Sequence, residues 1–378
     1  MGRISKKEQV MNAIGGWISS GRYKAGMQLP TEQELMREFG VSRIVIREAV
    51  GTLASEKLLA RRQGAGTFVT AEAFRPVPRS LPQQLAVMMP PLERESCTYH
   101  LILDGIEAEA GEHGLTVVFF NHQNRVEQAR LGITRLAAQG LRLLVYTPLE
   151  IADYEWSNRE ILHQAARAGL HVVLADKLIR GGGPASASFV GSNGYDGIRA
   201  LVGHLVELGH RRIGCIMNDL SATARTRFAG FVEAIREFRL PLKRELCQVD
   251  TVRRSPDEEG LAAAEQLLTL PEPPTAVVCV HDWAARNFYR VAAKLGVRIP
   301  EDVSVTGFDD LQFAGELTPP LTTVNQPLRE VGIQAVRLLI AEFTSPEERM
   351  MKHLYLNTTP VYRSSTARLS NRKESLIK

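Results

Sequence analysis

Residues 29–69 read LPTEQELMREFGVSRIVIREAVGTLASEKLLARRQGAGTFV, and this stretch decides the amino-terminal fold. Thr31 followed by Glu34 is a capping box, which starts a helix by satisfying its first free N–H groups. Leu35, Met36 and Phe39 then give that helix an apolar stripe, and Gly40 ends it. Ser42 is placed to cap a second helix in which Ile46, Ala49, Val50 and Leu53 follow helical spacing toward a core. That periodicity turns Arg43, Ile44, Val45 and Arg47 outward. Two helices joined by so short a turn make a helix-turn-helix, whose second helix fits the major groove of DNA. Leu58–Arg62 and Thr67–Thr70 read as two short strands joined across Gln63, Gly64, Ala65 and Gly66, a wing whose glycines let the backbone approach a phosphate or the minor groove. Upstream, Val10, Ile14, Trp17 and Ile18 mark an amphipathic helix within residues 6–19.

The charge supports this division. The formal net charge of the 378 residues is +4, yet residues 1–70 hold 11 Lys and Arg against 6 Glu, which leaves the remainder at −1. A cationic small unit joined to a near-neutral partner is the asymmetry of a nucleic-acid-binding module on a separate domain. Cys97, Cys215, Cys247 and Cys279 form no CxxC pair and read as reduced thiols of a cytoplasmic protein. The opening MGRISKKEQV has no apolar signal core and no run of 18 apolar residues occurs, so neither secretion nor a membrane is expected.

Residues 6–69 closely resemble the winged helix-turn-helix of GntR-type regulators. The resemblance implies DNA contacts by Thr31, Ser42, Arg43, Arg47 and the wing residues Gly64, Gly66 and Thr67. Gln33 stands where an Arg is common, and Ile44 and Val45 replace the usual hydroxyl residues. Those two cannot hydrogen-bond to bases and would pack on thymine methyls; Arg43 would read guanine, while Arg47, Thr31 and the wing would hold phosphates.

Residues 71–83, AEAFRPVPRSLPQ, are a proline-rich linker. Beyond them, apolar runs at 85–89, 115–120, 141–146, 170–174, 211–217, 275–280 and 303–306 alternate with helical stretches, the pattern of parallel strands buried on both faces. The expectation is a multidomain α+β and α/β protein: a winged helix-turn-helix over 1–70, the linker 71–83, a two-lobed α/β domain over 84–367 with a cleft at the carboxyl ends of its strands, and a polar tail over 368–378.

LGHRRIG, RFAGF, GFDD, PPLTTVNQP and VYRSST, within residues 84–367, resemble the effector domain of LacI/GalR-type repressors, a relative of periplasmic sugar-binding proteins. The combination resembles the arabinose-repressor type of hybrid regulator. It implies an effector site formed by Tyr99, Asp176, Arg227, His281, Asp309 and Gln326, with Thr98 and Thr223 nearby. His281 stands where relatives carry Asn, and Asn193 where many carry Asp. A sugar needs such carboxylates, amides and a guanidinium because its hydroxyls both donate and accept. Trp156 and Trp283 are read as packing residues rather than stacking platforms.

The function implied is a homodimeric, ligand-controlled regulator, a repressor of transcription on a near-palindromic double-stranded operator, with a sugar as effector and no cofactor. The alternatives are control by a purine or another metabolite, or an enzyme fused to a GntR-type head. Against the enzyme, no HExxH, GxSxG, P-loop or GxGxxG motif is present, and the histidines are dispersed.

Overall fold

The computed structural model describes residues 5–19, 21–55, 57–62, 65–71, 81–92, 98–151, 154–179, 187–218, 221–250, 255–345 and 350–369. Gly64, Cys97, residues 72–80 of the linker and residues 370–378 of the tail lie outside them. The chain divides into two compact units, one within Met1–Arg79 and one within Ser80–Thr344 and Arg349–Lys378.

In the first unit, α1 (Lys6–Ser19), α2 (Glu32–Phe39) and α3 (Arg43–Ser55) precede a hairpin of β1 (Leu59–Arg62) and β2 (Gly66–Val69). Val10, Ile14 and Ile18 of α1 meet Leu35, Ile46, Ala49, Val50 and Leu53 in one core, closed by Leu29, Leu59 and Val69. Trp17 lies beside it, its ring stacked 5.4 Å from Phe39. The Thr31–Glu34 box is formed in both directions, and Gly40 ends α2 at φ 60°. The hairpin pairs Leu59 with Val69 and Arg62 with Gly66. Backbone bonds from Gly26 to Val69, Leu29 to Thr67 and Val69 to Met27 add a third edge that the sequence reading did not anticipate.

The second unit has two lobes. The first is a six-stranded parallel sheet in the order β13-β7-β6-β5-β3-β4, made of β3 (Gln84–Met89), β4 (Thr116–Asn121), β5 (Leu143–Tyr146), β6 (His171–Ala175), β7 (Ser188–Ser192) and β13 (His353–Leu356). The second is a four-stranded parallel sheet, β11-β10-β8-β9, made of β8 (Ile213–Asn218), β9 (Cys247–Asp250), β10 (Ala276–Cys279) and β11 (Ser304–Thr306). A two-stranded antiparallel ribbon, β12 (Thr323–Asn325) with β14 (Thr359–Val361), lies among the segments that pass between the sheets.

Helices α4 (Tyr99–Glu112), α5 (Val126–Ala138), α6 (Tyr154–Arg167) and α11 (Leu328–Thr344) cover the first sheet. α7 (Gly194–Glu207), α8 (Ala222–Glu237), α9 (Leu261–Leu268) and α10 (Asp282–Leu295) cover the second. α4 and α11 cross closely because each presents a glycine to the other: a Cβ on Gly105 would lie 1.9 Å from the Arg329 carbonyl, and one on Gly332 would lie 2.1 Å from that of Ile102. Strands β3, β5, β6, β7, β8, β10 and β11 are almost entirely buried, which is why they read as apolar runs, whereas the edge strands β4, β9 and β13 are partly exposed. Among the described residues no helix is long and apolar enough to cross a membrane, and no group of three or more His, Cys, Asp or Glu could hold a metal ion.

Candidate functional site

Two surfaces carry the residues singled out above. On the first unit, α3 presents Arg43, Ile44 and Arg47 outward; Ile44 is 69% exposed, far more than its apolar side chain would be in a core. Val45 differs, being half-buried against the core, so one of the two residues expected to offer a methyl surface is largely used inside the unit. Arg43 Nε donates to Glu32 at 2.9 Å, and Arg47 Nε lies 3.3 Å from the other oxygen of the same carboxylate. The hydrogen bond from Arg43 comes first in holding the Glu32 carboxyl below its ordinary range, with the Arg47 charge adding to it. Arg61 reaches over from β1 and donates to the Arg47 carbonyl at 3.0 Å. Thr31 and Ser42 are exposed at the starts of α2 and α3, and the Thr31 hydroxyl is already engaged with Glu34.

The wing turn is braced from the side. Gln28 donates to the Ala65 carbonyl at 2.9 Å, and Gly66 sits at φ 114° with the Gln28 amide only 2.3 Å from where a Cβ would be. Thr67 follows, half-buried, and Arg62 lies 4.8 Å over the Phe68 ring. Four cationic side chains, Arg43, Arg47, Arg61 and Arg62, an exposed isoleucine and a glycine-turned hairpin therefore occupy one small unit. Neither Glu32 nor Gln28 was singled out from the sequence; their spacing carries no signal, because each meets its partner only after the turn has formed.

In the second unit, Asp176, Arg227 and Gln326 line one cleft of about 460 Å³, counting its solvent-open mouth, together with Thr223, Phe189 and Tyr355. Asp176 follows β6 with φ 69°, a conformation uncommon for a residue with a side chain. Arg227 projects from α8, is 8% exposed, and lies 3.9 Å over the Phe308 ring. It donates to the Val280 carbonyl at 2.8 Å and to Asp309 at 3.0 Å, while its buried Nε has no hydrogen-bond partner. Gln326 donates to the same Asp309 oxygen at 2.7 Å. Asp309 thus acts from behind Arg227 and Gln326 and is not itself among the lining residues. Burial raises its pKa, with the Arg227 charge pulling the other way.

His281 is also set back from the lining residues. Its Nδ1 accepts from the Ala284 N–H at 3.1 Å, capping α10, and its Nε2 lies 3.0 Å from Glu259. Glu259 also accepts from Asn218 at 2.8 Å. Burial disfavours a charged imidazole here, yet the Glu259 carboxylate lifts the pKa overall. Nδ1 as acceptor fixes the neutral tautomer with its proton on Nε2, directed at Glu259. Beside it Asp282 is fully buried and its carboxyl is pushed up to about 8, by burial first and then by Asp309.

Tyr99 is taken up by a different partner. Its hydroxyl accepts from Lys177, whose ammonium lies 4.5 Å over the Tyr99 ring. Lys177 is 3% exposed and also reaches Glu150 at 2.9 Å and Asp176 at 3.5 Å. Burial opposes its charge, but Glu150 and its neighbours hold the ammonium protonated, and the same burial pushes the Tyr99 phenol up. Thr98 immediately precedes α4, and Asn193 caps α7 by accepting from the Asp196 N–H. Trp283 packs edge-on to Phe313 at 4.8 Å, and Trp156 is 62% exposed on α6. Tyr355 and Phe189, which meet edge to face at 5.3 Å at the cleft, were not singled out from the sequence. An alternating HLYL strand was the available signal.

Contact across the lobes is made at α8 and α6. Arg225 of α8 lies 4.7 Å over the Tyr154 ring and 4.0 Å from Glu155, both at the start of α6.

Known proteins resemble two parts of the chain. Residues 6–69 match the model of bacterial regulatory proteins of the gntR family, and residues 202–366 that of the periplasmic binding protein-like domain. The arabinose metabolism transcriptional repressor of Geobacillus stearothermophilus is 28% identical over 342 residues, spanning 89% of this chain and 91% of that protein. The HTH-type transcriptional repressor PurR of Vibrio atlanticus is 30% identical over 247 residues, 63% of this chain and 69% of the relative. Among solved structures, the transcription regulator CcpA of Lactococcus lactis superposes with a TM-score of 0.64 at 22% identity, covering 75% of this chain and 99% of that one.

Proposed function

From the premise that the chain belongs to the hybrid transcriptional regulators that join a GntR-type head to a LacI-type effector domain, we propose how it works. It is a DNA-binding repressor, not an enzyme, controlled by a small molecule held between the two lobes of its second unit. The observation that carries the reading is the cleft in which Asp176, Arg227 and Gln326 converge from three separate elements, on a chain whose other unit presents Arg43, Ile44 and Arg47 from a single helix face.

The residue chemistry favours a sugar. A carboxylate, an amide and a guanidinium with a buried unspent Nε supply donors and acceptors together, and Tyr355 and Phe189 add aromatic surface. In the head, Arg43 reads guanine, Ile44 and the exposed part of Val45 cover thymine methyls, and Thr31, Ser42, Arg47, Gly64, Gly66 and Thr67 hold the backbone. The protein acts in the cytoplasm as a homodimer whose two heads read half-sites about one helical turn apart, or a multiple of it. Effector binding favours one arrangement of the lobes and so changes operator affinity, with a coupling on the order of 1 to 3 kcal/mol.

The test is in vitro selection from a random duplex pool, followed by thermal-shift screening of pentoses, hexoses, their phosphates and purines. Recovery of a two-half-site sequence and a stabilising sugar supports the reading. Failure to enrich any duplex sinks the head assignment; a purine or phosphate ester as the sole hit sinks the sugar.

A further inference from the structure

We propose that Cys215 and Cys247 are a modification site at which hydrogen peroxide makes a reversible intramolecular disulfide. The two residues are direct partners in the parallel register of β8 and β9, so their side chains leave the sheet on the same face. Neighbouring strands lie roughly 4.8 Å apart, within the roughly 4.4 to 6.8 Å that separates the Cα atoms of a disulfide. Both thiols are free, and they are hydrogen-bonded to each other.

Position gives the pair an order of reaction. β9 is the edge strand of its sheet, and Cys247 on it is half-buried, whereas Cys215 on β8 is fully buried. The hydrogen bond from Cys215 lowers the Cys247 pKa, while burial holds the Cys215 thiol protonated. The nucleophilic thiolate is therefore the one a small oxidant can reach, and the resolving thiol stands beside it. The Cys247 thiolate attacks one peroxide oxygen; the O–O bond breaks, giving Cys247 sulfenic acid and hydroxide, which becomes water by taking up the proton that Cys247 released to solvent on ionising. The Cys215 sulfur then attacks the Cys247 sulfur, the S–O bond breaks, and the oxygen leaves as water carrying the Cys215 proton. Each sulfur is oxidised by one electron, and the peroxide is reduced by two.

Cys279 does not compete. It is fully buried on β10 and aligned with Ile216 rather than with Cys215, so strand alternation sends it to the opposite face. The bond would tie the edge strand to β8, whose last residue, Asn218, holds the Glu259 partner of His281.

The test uses the full chain, reduced, freed of reductant and exposed to hydrogen peroxide, then alkylated and mapped by mass spectrometry without reduction. We expect a cross-linked peptide joining Cys215 to Cys247, a loss of two titratable thiols, and full recovery with dithiothreitol. Cys279→Ser should form the same link, and Cys247→Ser should leave Cys215 a free thiol, which is alkylated once the chain is denatured. Complete alkylation of both residues, a Cys247 sulfinic acid beside a free Cys215, or links made chiefly through Cys97 would each overturn the proposal. The wild-type map decides the matter even if Cys247→Ser fails to fold.

Discussion

Replacing Arg43 by Ala tests the head most sharply, because Arg43 and Arg47 share one carboxylate yet are assigned different work. In the free protein both lie on Glu32, at 2.9 and 3.3 Å, with side chains 66% and 62% exposed. Ion pairs that open to solvent contribute at most about 1 kcal/mol. A bidentate contact to guanine is worth about 1 to 3 kcal/mol, so trading Glu32 for a base edge is favourable for Arg43. Arg43→Ala should then weaken the selected duplex about 5- to 150-fold more than it weakens a scrambled one. Arg47→Ala should weaken both alike and make the slope of log affinity against log salt shallower by about 0.9. Any repulsion from the uncovered Glu32 is shared by the two duplexes, and Glu32→Gln measures it. Fluorescence anisotropy on both duplexes between 50 and 200 mM salt, a range over which phosphate contacts are roughly resolved, is the assay. Equal losses on selected and scrambled DNA for Arg43→Ala would refute the base-reading role, and an unchanged salt slope for Arg47→Ala the phosphate role.

Thr31→Ala removes one half of the box that starts α2 and should cost about 1 kcal/mol, read as a lower melting temperature of the first unit. Gly66→Ala combines a φ of 114° with a Cβ placed 2.3 Å from the Gln28 amide; proteolysis of the wing turn should accelerate while the second unit melts unchanged. Gly105→Ala drives a methyl into the Arg329 carbonyl at 1.9 Å, and since both sides are backbone the loss should reach or exceed about 3 kcal/mol in urea unfolding. His122 is fully buried, donates from Nε2 to the Thr147 carbonyl at 2.9 Å and accepts the Asn124 N–H on Nδ1; burial above all depresses its pKa to about 4. A histidine depressed in the folded state contributes stability in full above its unfolded pKa of roughly 6.5 and loses it as the pH falls toward 4, about 3 kcal/mol in all. The urea midpoint of the wild type should fall more steeply over that window than that of His122→Gln, and parallel curves would contradict the assignment.

Much of this was legible in the sequence where local chemistry sets the outcome. The Thr31–Glu34 box and Gly40 fix the ends of α2 without help from the rest of the fold, and the runs at 85–89, 141–146 and 275–280 are strands because both their faces are covered. Strands that depend on distant partners were not legible. β13 pairs with β7 from the far end of the chain, and β9 is a four-residue edge. The site shows the same division. Asp176, Arg227 and Gln326 meet in one cleft, but the Tyr99 hydroxyl is claimed by Lys177, and His281 turns to Glu259. Nothing in the spacing of 99 and 177, or of 259 and 281, announces those pairings, because each joins helix ends and loops that only the folded sheets bring together.

Coupling between the two units is the central claim, and one titration tests it directly: operator affinity of the full chain, by anisotropy on the selected duplex, with and without a saturating sugar that raises its melting temperature. The account predicts a change of about 5- to 150-fold, abolished by Arg227→Lys if that variant remains folded and by Asp176→Asn independently. An operator affinity that stays the same with the cleft filled and empty would contradict it.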